Sequence, residues 1–269
     1  MTKTGLMTTY EHAARATVGA RDYQEDSAAF WSGALSAAPS EWSSVSPPGS
    51  PLVAVLADGM GGHVGGSLAS RIVCDTFLAA YSAQGGETRL RMMAALTAAN
   101  AAIAAKVGQN PMLSGMGSTI VGAVLDANGL NWVSVGDSPM YLYRRGEVAQ
   151  INEDHSLGPE LDHLASIGRI TAAAARNDPR RHMLRAAVTG EDLDLVDLSR
   201  KPLALQPGDY VIIASDGLLT LERNEIERVV AAYAEDGAEA VSRALIRAVE
   251  HYRDPHQDNT TVVAIRALE

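Results

Sequence analysis

The sequence predicts an α+β fold, in which antiparallel sheets carry helices on their outer faces. Two observations lead to this prediction. Short apolar runs with strand character are joined by tight turns, and one such hairpin joins Thr119–Leu125 to Leu130–Val135 through Asp-Ala-Asn-Gly. Helical patterns occur between the groups of strands, but without the regular strand–helix–strand alternation that is typical of a parallel sheet.

The other predicted strands come from apolar runs and from a second turn. Leu52–Ala57 and Tyr210–Ala214 are continuous apolar runs, which are typical of strands buried on both faces. A second hairpin joins Tyr141–Tyr143 to Glu147–Ile151 through an Arg-Arg-Gly turn. The last predicted strand is Thr260–Ile265.

Helices are predicted where apolar residues recur at three- and four-residue spacing, within residues 69–80, 92–107 and 241–252. Two segments interrupt this pattern. Residues 33–51 are rich in Ser, Pro and Gly and are predicted as a loop insertion, and residues 158–183 contain two short helical patterns. No repeat or linker divides the sequence, so we expect a single domain over residues 1–269.

Composition narrows the classes of function. The chain has 269 residues, with 32 Asp and Glu against 22 Lys and Arg and a formal net charge of −10. Because nucleic-acid binding depends on a basic face, we expect no nucleic-acid partner. The single cysteine, Cys74, excludes an intrachain disulfide. The sequence contains no run of about 18 apolar residues and no apolar run typical of a signal peptide, so we expect a cytoplasmic protein without a membrane span.

Acidic residues stand at the ends of several predicted strands. Taken singly, an Asp-Gly pair after a strand is most simply a turn. Taken together, short carboxylates on strand ends are typical of sites for hard divalent cations such as Mg²⁺ and Mn²⁺, which prefer oxygen ligands. The sequence has no second cysteine and no paired histidines at the spacing of a zinc site. The acids concerned are Glu25, Asp26, Asp58, Asp137, Asp216 and Asp258.

A series of sequence blocks spans nearly the whole chain: RDYQED (21–26), VLADGMGGHVGG (55–66), GMGSTIVGAVL (115–125), WVSVGDSPMYLYRRGEV (132–148), EDHSL (153–157), VIIASDGLL (211–219) and QDNTTVVAI (257–265). In content, order and spacing these blocks resemble the PP2C (PPM) family of metal-dependent Ser/Thr protein phosphatases, in its compact bacterial form. The resemblance implies a four-layer α-β-β-α sandwich, with two central antiparallel sheets flanked by helices. It also implies that residues 158–183 form a flap-like segment beside the site.

The resemblance implies two bound Mn²⁺ or Mg²⁺ ions and assigns their ligands. Asp58 would bridge the two metals, and the carbonyl of Gly59 would be a further ligand. Asp216 and Asp258 would hold the first metal, and Glu25 would hold the second, some of them through water. Asp58 and Asp216, together with Arg21, make up the predicted catalytic set.

Three further residues acquire roles from the resemblance. Arg21 would grip the substrate phosphate, and a guanidinium can supply the two parallel hydrogen bonds that phosphate accepts. Asp137 would help to hold a third, weakly bound metal, and Asp26 would lie just behind the metal ligands. Arginines in the flap-like segment either contact phosphopeptide or form a solvated basic face; these are Arg176, Arg180 and Arg181.

The chain departs from the family pattern at positions that bear on the reaction. Pro139 replaces the arginine that usually follows Gly-Asp-Ser, which removes a positive charge near the site. Met60 stands where eukaryotic relatives carry a histidine often proposed as the general acid. His63 lies nearby in sequence, but a loop or packing histidine explains it at least as well as a proton donor does. The proton donor is therefore left unassigned, with a metal-bound water as the preferred donor.

The function that the resemblance implies is hydrolysis of phosphoserine and phosphothreonine in proteins by a metal-activated water that attacks phosphorus. The expected partners are a phosphoprotein substrate and the bacterial Ser/Thr kinase that the enzyme opposes, and the expected state is a monomer active in signal transduction. The alternative is a non-catalytic or partner-dedicated regulator that binds phosphoproteins on the same fold. The complete set of acids favours the enzyme, since a binding module has no need for mutually repelling carboxylates.

Overall fold

The computed structural model describes residues 9–32 and 42–268. Its strands, in chain order, are β1 Tyr10–Thr17, β2 Asp26–Trp31, β3 Trp42–Val45, β4 Leu52–Met60, β5 Gly117–Ser118, β6 Ile120–Asp126, β7 Gly129–Val135, β8 Met140–Arg144, β9 Glu147–Gln150, β10 Asp197–Leu198, β11 Tyr210–Ala214 and β12 Thr260–Ala267. Its helices are α1 His63–Ala83, α2 Thr88–Gln109, α3 Gly158–Ser166, α4 Ala172–Arg176, α5 Arg223–Tyr233 and α6 Ala238–Tyr252.

These strands form two antiparallel sheets. The first sheet has the order β3-β1-β12-β11-β8-β9, and the second has the order β10-β7-β6-β4-β2, with β5 paired to the end of β4. Both predicted hairpins are present, as the pairs β6–β7 and β8–β9. The expected combination of antiparallel sheets and helices is confirmed.

Strand β4 shows why a continuous apolar run is buried on both faces. Leu52, Ala54 and Leu56 lie in the core between the two sheets. Val53 and Val55 point the other way, into the core beneath the first pair of helices. Since side chains alternate along a strand, both faces need apolar residues when the strand has a layer on each side.

Helices cover the outer face of each sheet. Helices α1 and α2 pack on the second sheet, and α5 and α6 pack on the first sheet, each through its own apolar core. The third core lies between the sheets. This arrangement is the expected four-layer α-β-β-α sandwich.

Helix α2 is, among the residues that the structure describes, the one helix long and apolar enough to cross a membrane by length and composition. One of its faces is buried in the core shared with α1, through Met92, Ala95, Leu96, Ala99 and Ile103. A helix at the core of a folded domain meets the same criteria, so this helix is weak evidence for a span.

The segment 33–51 is not wholly a loop. Residues 42–45 form β3, which pairs with β1 at the edge of the first sheet, in the register Glu11 opposite Val45. A short Ser-rich stretch becomes a strand here because β1 offers an unpaired row of backbone groups. Residues 33–41 lie outside the described residues.

Strand β1 and helix α5 are among the elements that had no clear signal in the sequence. Strand β1 is rich in alanine, which has a low strand propensity, and its strand form depends on pairing with β12 along its whole length. Helix α5 begins with a capping box made by Glu222 and Glu225, instead of the more common Ser or Thr. Pairing with a strand distant in sequence therefore fixes β1, and a less usual cap marks the start of α5.

The contact between Phe77 of α1 and Gly122 of β6 generates a stability prediction. Phe77 is fully buried, and a Cβ at Gly122 would lie 2.7 Å from its ring. We expect Phe77→Ala to lower the free energy of unfolding by about 3–5 kcal/mol, because the ring leaves a cavity that the sheet cannot fill. Urea unfolding followed by circular dichroism measures this.

The control is Leu90→Ala, which shortens an exposed apolar side chain on α2. We expect that variant to change the free energy of unfolding by about 0.5 kcal/mol or less. Equal losses in both variants would contradict the packing described for α1.

Candidate metal centre

Asp58 lies near the end of β4, where its backbone is held from two sides. Its N–H donates to Thr119 Oγ1 at 3.0 Å. Its carbonyl accepts from the N–H of Thr119 and from Ser118 Oγ, both at 2.8 Å. In the antiparallel pair β2–β4, Asp58 lies directly opposite Asp26. The strand register therefore brings two carboxylates into one neighbourhood.

Ser215 connects the acids of the two sheets. Its hydroxyl donates to Asp26 Oδ2 at 2.7 Å and accepts from the N–H of Thr261 at 2.9 Å. Asp216 follows directly, at the start of the short 3-10 turn 216–220 after β11. The end of β11 in the first sheet is thereby joined to the start of β2 in the second sheet, and Asp216 comes to lie beside Asp58.

Asn259 fixes the loop that carries Arg21 and Glu25. Its Oδ1 accepts from the N–H of Glu25 at 2.8 Å. Its Nδ2 donates to the carbonyls of Val18 and Tyr23 at 2.9 and 3.0 Å. The asparagine next to Asp258 therefore places the loop before β2 against the start of β12. Sequence reasoning did not single out this residue, although it lies in the QDN block.

Gly59 and Gly66 allow the start of α1 to approach the acids. The N–H of Gly59 donates to the carbonyl of Glu25 at 3.2 Å. A Cβ at Gly66 would collide with the carboxylate of Glu25, and a Cβ at Gly59 would collide with the carbonyl of Gly66. Only glycine fits at these two positions, because backbone and carboxylate occupy the space that a side chain would need.

A cavity of about 330 Å³ opens between these elements. The structure brings together every residue predicted to bind metal or phosphate, since this cavity is lined by Arg21, Glu25, Asp58, Gly59, Asp137, Asp216 and Asp258. Asp26 does not line the cavity; it is buried just behind it, at Ser215. The geometry is that of an acidic pocket with one arginine at its edge.

The carboxylates raise one another's pKa values. Burial, followed by the charges of neighbouring aspartates, raises the pKa of Asp58. Burial and the charge of Asp258 likewise raise the pKa of Asp216, whose carboxyl also hydrogen-bonds that of Asp58. Burial, then the charges of Asp216 and Asp154, raises the pKa of Asp137 to about 7. Ionised together, these groups are unfavourable until a positive charge joins them.

Asp26 is held in a similar state. Burial raises its pKa to about 6, against the opposing effect of the hydrogen bond from Ser215. Its Oδ1 is buried and accepts no hydrogen bond from any described residue. A buried carboxylate oxygen without a donor is costly in a folded protein, and a nearby cation or its bound water removes that cost.

The donor set fits Mg²⁺ or Mn²⁺ if water completes the coordination. Within the described residues, no three His, Cys, Asp or Glu side chains are grouped closely enough to hold one ion by themselves. Mg²⁺ usually keeps several of its waters and takes one or two carboxylates. The cavity supplies carboxylate and carbonyl oxygens and has room for such waters. These residues therefore suit a hard, hydrated cation better than zinc in a closed site.

Arg21 and Asp258, predicted to have separate roles, form an ion pair in the structure. Arg21 Nη2 lies 2.6 Å from Asp258 Oδ2. Both side chains are about half exposed, at 49% and 42%. Exposed ion pairs contribute only about 0–1 kcal/mol, so this contact is easily exchanged for a cation at Asp258 and a phosphate at Arg21.

His182 also lines the cavity, and sequence reasoning missed it. It lies in the connection after α4, near the end of the flap-like segment 158–183, directly after Arg181. The neighbouring arginines are used within their own segment, since Arg180 pairs with Asp178 at 2.8 Å and Arg181 pairs with Asp162 at 2.7 Å. These two arginines are therefore held by acids of the flap-like segment.

The loop that carries Asp137 is anchored by His155. The N–H of Gly136 donates to His155 Nδ1 at 3.3 Å, and the N–H of His155 donates to the carbonyl of Gly136 at 3.0 Å. Pro139, on the other side of Asp137, is buried, and its carbonyl accepts from the N–H of Ala214 at 3.0 Å. The proline thus ends the loop at the start of β8.

A family model for protein phosphatase 2C matches residues 41–244. The chain belongs to the protein phosphatase 2C family. Among characterised relatives, this 2C-family chain is 38% identical over 164 residues to the serine/threonine protein phosphatase PstP of Mycobacterium tuberculosis, covering 61% of the chain but 31% of that protein. It is 33% identical over 186 residues to the serine/threonine phosphatase Stp of Listeria monocytogenes, covering 66% of the chain and 71% of that protein.

Solved structures of 2C-family proteins have the same fold. The crystal structure of Mycobacterium tuberculosis PstP matches with a TM-score of 0.76 and 31% identity, covering 97% of this chain and 99% of that one. The catalytic domain of PstP in complex with two manganese ions matches with a TM-score of 0.74 and 29% identity, covering 97% of this chain and 100% of that one. The sequence match to full-length PstP, in contrast, covers only about a third of that protein's length.

The raised pKa of Asp137 gives a pH-dependent stability prediction for the metal-free protein. Between the ordinary aspartate pKa and about 7, the unfolded chain is ionised at this position while the folded protein keeps the proton. Stability from this group is therefore present at low pH and is lost as pH rises through about 7. Asn at this position never ionises, so in EDTA we expect Asp137→Asn to gain about 2–3 kcal/mol relative to wild type between pH 5 and pH 8.

Urea unfolding at the two pH values measures this difference. The control is Asp236→Asn, which makes the same replacement at an exposed acid between α5 and α6, outside the cavity. If the two variants show the same pH dependence, Asp137 is not penalised by burial.

Proposed function

We propose that this protein is a metal-dependent phosphatase that hydrolyses phosphoserine and phosphothreonine in proteins. The observation that carries the proposal is the convergence of Asp58, Asp216 and Asp258 with Arg21 in one open cavity. An acidic pocket with an arginine at its edge suits a phosphate only when cations neutralise the acids. Membership of the protein phosphatase 2C family and the similarity to PstP and Stp support the same activity.

The proposed cofactors are two Mn²⁺ or Mg²⁺ ions, with a third bound weakly. Support for two ions comes from the PstP catalytic domain, which was solved with two manganese ions. In this chain Asp58 would be shared between the ions, with Glu25, Asp216 and Asp258 as the other carboxylate ligands and the Gly59 carbonyl beside them. Asp137, in the loop anchored by His155, would hold the third ion.

Several residues in and just behind the cavity have a part in the proposed reaction. When bound, the divalent cations lower the pKa of water and offset the negative charge of the phosphate. Arg21 would donate two hydrogen bonds to phosphate oxygens, in exchange for its ion pair with Asp258. Ser215 and Thr119 hold Asp26 and Asp58 in place, so the carboxylates do not have to reorganise when the substrate arrives.

The alternative is a regulator that binds phosphoproteins without hydrolysing them. Such a module would need Arg21 but not the buried acids, whose pKa values are raised by burial and by their mutual charge. The proposed partners are the phosphoprotein substrate and an opposing Ser/Thr kinase, since kinases make protein phosphoserine and phosphothreonine. A role in signal transduction as a cytoplasmic monomer is part of the proposal, and the lone buried Cys74 suits a reducing compartment.

The activity itself is the first prediction of this proposal. With Mn²⁺ we expect hydrolysis of p-nitrophenyl phosphate and of a phosphothreonine peptide, and we expect EDTA to abolish both. Asp216→Asn should reduce both to the background rate, because Asp216 is a proposed ligand in direct contact with Asp58. Released phosphate and nitrophenol are the measured products.

The matched control is Asp236→Asn, which should keep the wild-type rate. Hydrolysis that persists in EDTA would overturn the metal mechanism. Tight binding of the phosphopeptide without turnover would favour the non-catalytic regulator.

Arg21 gives a second prediction. A hydrogen bond to a charged group contributes about 1.5–3 kcal/mol. Because the loss of Arg21 is partly offset by water at the exposed site, we expect Arg21→Ala to raise KM by about 10- to 100-fold, with a smaller fall in kcat. Arg21→Lys should recover only part of the loss, because an ammonium cannot form two parallel hydrogen bonds. Steady-state kinetics with the phosphothreonine peptide measures both constants.

Arg247→Ala removes an exposed arginine from α6 and should leave KM unchanged. If Arg21→Ala also leaves KM unchanged, Arg21 is an ordinary surface arginine.

A further inference from the structure

We propose that His182 is the general acid that protonates the serine or threonine oxygen as it leaves phosphorus. This inference rests on the proposed phosphatase activity and adds a residue to it. The position occupied by Met60 cannot supply a proton, although Met60 itself lines the cavity. Of the described residues that line the cavity, His182 is the only histidine, and histidine is the side chain that most readily exchanges protons near neutral pH.

The backbone around His182 is held on both sides. Before it, Arg181 forms two hydrogen bonds to the carboxylate of Asp162, at 2.8 and 2.7 Å. After it, the carbonyl of Met183 accepts from the N–H of Leu157 at 2.9 Å, and Leu184 bridges to Ser156. The side chain of an exposed residue is thus carried to the cavity by anchored backbone, as a proton donor requires.

The turn that contains His182 is closed by a further backbone contact. The N–H of Met183 donates to the carbonyl of Arg180 at 2.8 Å, and the N–H of Arg181 donates to the carbonyl of Asp178 at 3.0 Å. In this turn Arg180 and Arg181 pair with acids of their own segment, and His182, the next residue, lines the cavity.

His182 lies near the acids of the cavity. Burial and Asp258 raise the pKa of Asp216, and the nearby side chains of His182 and Arg21 oppose that rise. His182 therefore lies close enough to interact electrostatically with Asp216, without forming an ion pair with it. Arg21, from the loop before β2, and His182, from the segment after α4, approach the same acids from separate parts of the chain. One is suited to hold the phosphate and the other to donate a proton.

The step balances without any further reactant. A bond forms between the oxygen of water and phosphorus, while the bond between phosphorus and the ester oxygen breaks and leaves its electron pair on that oxygen. The ester oxygen takes the proton of the His182 imidazolium and becomes the serine or threonine hydroxyl. The attacking water loses a proton to solvent, and the neutral imidazole regains one from solvent.

The test compares substrates that differ in their need for a proton. Nitrophenolate leaves without one, phenolate benefits from one, and the alkoxide of threonine depends on one. For His182→Asn and His182→Gln we expect kcat to fall about 100-fold on a phosphothreonine peptide. We expect a smaller fall on phenyl phosphate and a change of about threefold or less on p-nitrophenyl phosphate.

A loss of the same size on all three substrates would overturn the proposal, because it would indicate a structural role. No loss on the peptide would overturn it as well. If wild type hydrolyses none of the three with Mn²⁺, the proposed function fails and this inference fails with it. If wild type is active and only the substrate-dependent loss is missing, the inference alone is wrong.

His63→Asn is the matched control, because it makes the same replacement at the histidine that begins α1. We expect it to change kcat on all three substrates by similar factors. Should His63→Asn produce the loss that depends on the leaving group, in place of His182→Asn, the assignment to His182 is overturned.

A second readout does not depend on turnover. In ¹⁵N spectra of the Mg²⁺-loaded protein, the imidazole signals of His182 are those that disappear in His182→Asn. We expect these signals to shift when inorganic phosphate is added. Signals that do not move at saturating phosphate would show that His182 does not reach the phosphate site, and would overturn the proposal.

Discussion

Mutual repulsion among the carboxylates that the two sheets bring together is the constraint on which the rest of this molecule depends. Asp26 and Asp58 face each other across β2 and β4, and Asp216 reaches the same place from the end of β11 in the other sheet. Burial and mutual charge raise the pKa of each of them. Such an arrangement persists only because the surrounding backbone is over-determined, by Thr119 around Asp58 and by Ser215 between the sheets.

The sandwich supplies the rigidity that this arrangement requires. Strand β4 is covered on both faces, so Asp58 stands on a strand that cannot move away from its neighbours. Because Gly59 and Gly66 have no side chains, the start of α1 can lie close to Glu25. Cations are the simplest way to relieve the repulsion, and the open cavity gives them and a phosphate access. Binding of positive charge at the acid cluster would therefore lower the repulsion among its carboxylates.

The groups expected to contact the substrate are less constrained than the acids. Arg21 is about half exposed and paired with Asp258, and His182 is an exposed residue carried by a short anchored turn. This difference has a physical basis, because metal ligands have to be preorganised, whereas a phosphate clamp and a proton donor have to exchange partners in each cycle. In the proposed reaction, bound cations would set the local charge of the cavity, so that an acidic protein with a net charge of −10 could accept a phosphoprotein.

The sequence by itself determined the features that depend on short stretches of chain. Alternation and turn chemistry predicted the hairpins β6–β7 and β8–β9, and the content, order and spacing of seven short blocks indicated the family and its acids. Only the tertiary structure decided which distant residues meet. It paired alanine-rich β1 with β12, placed Asn259 against the loop of Glu25, joined Arg21 to Asp258 across 237 residues and brought His182 to the cavity. These contacts leave no local signature, because they depend on the path of the backbone between the partners and not on the residues beside each of them.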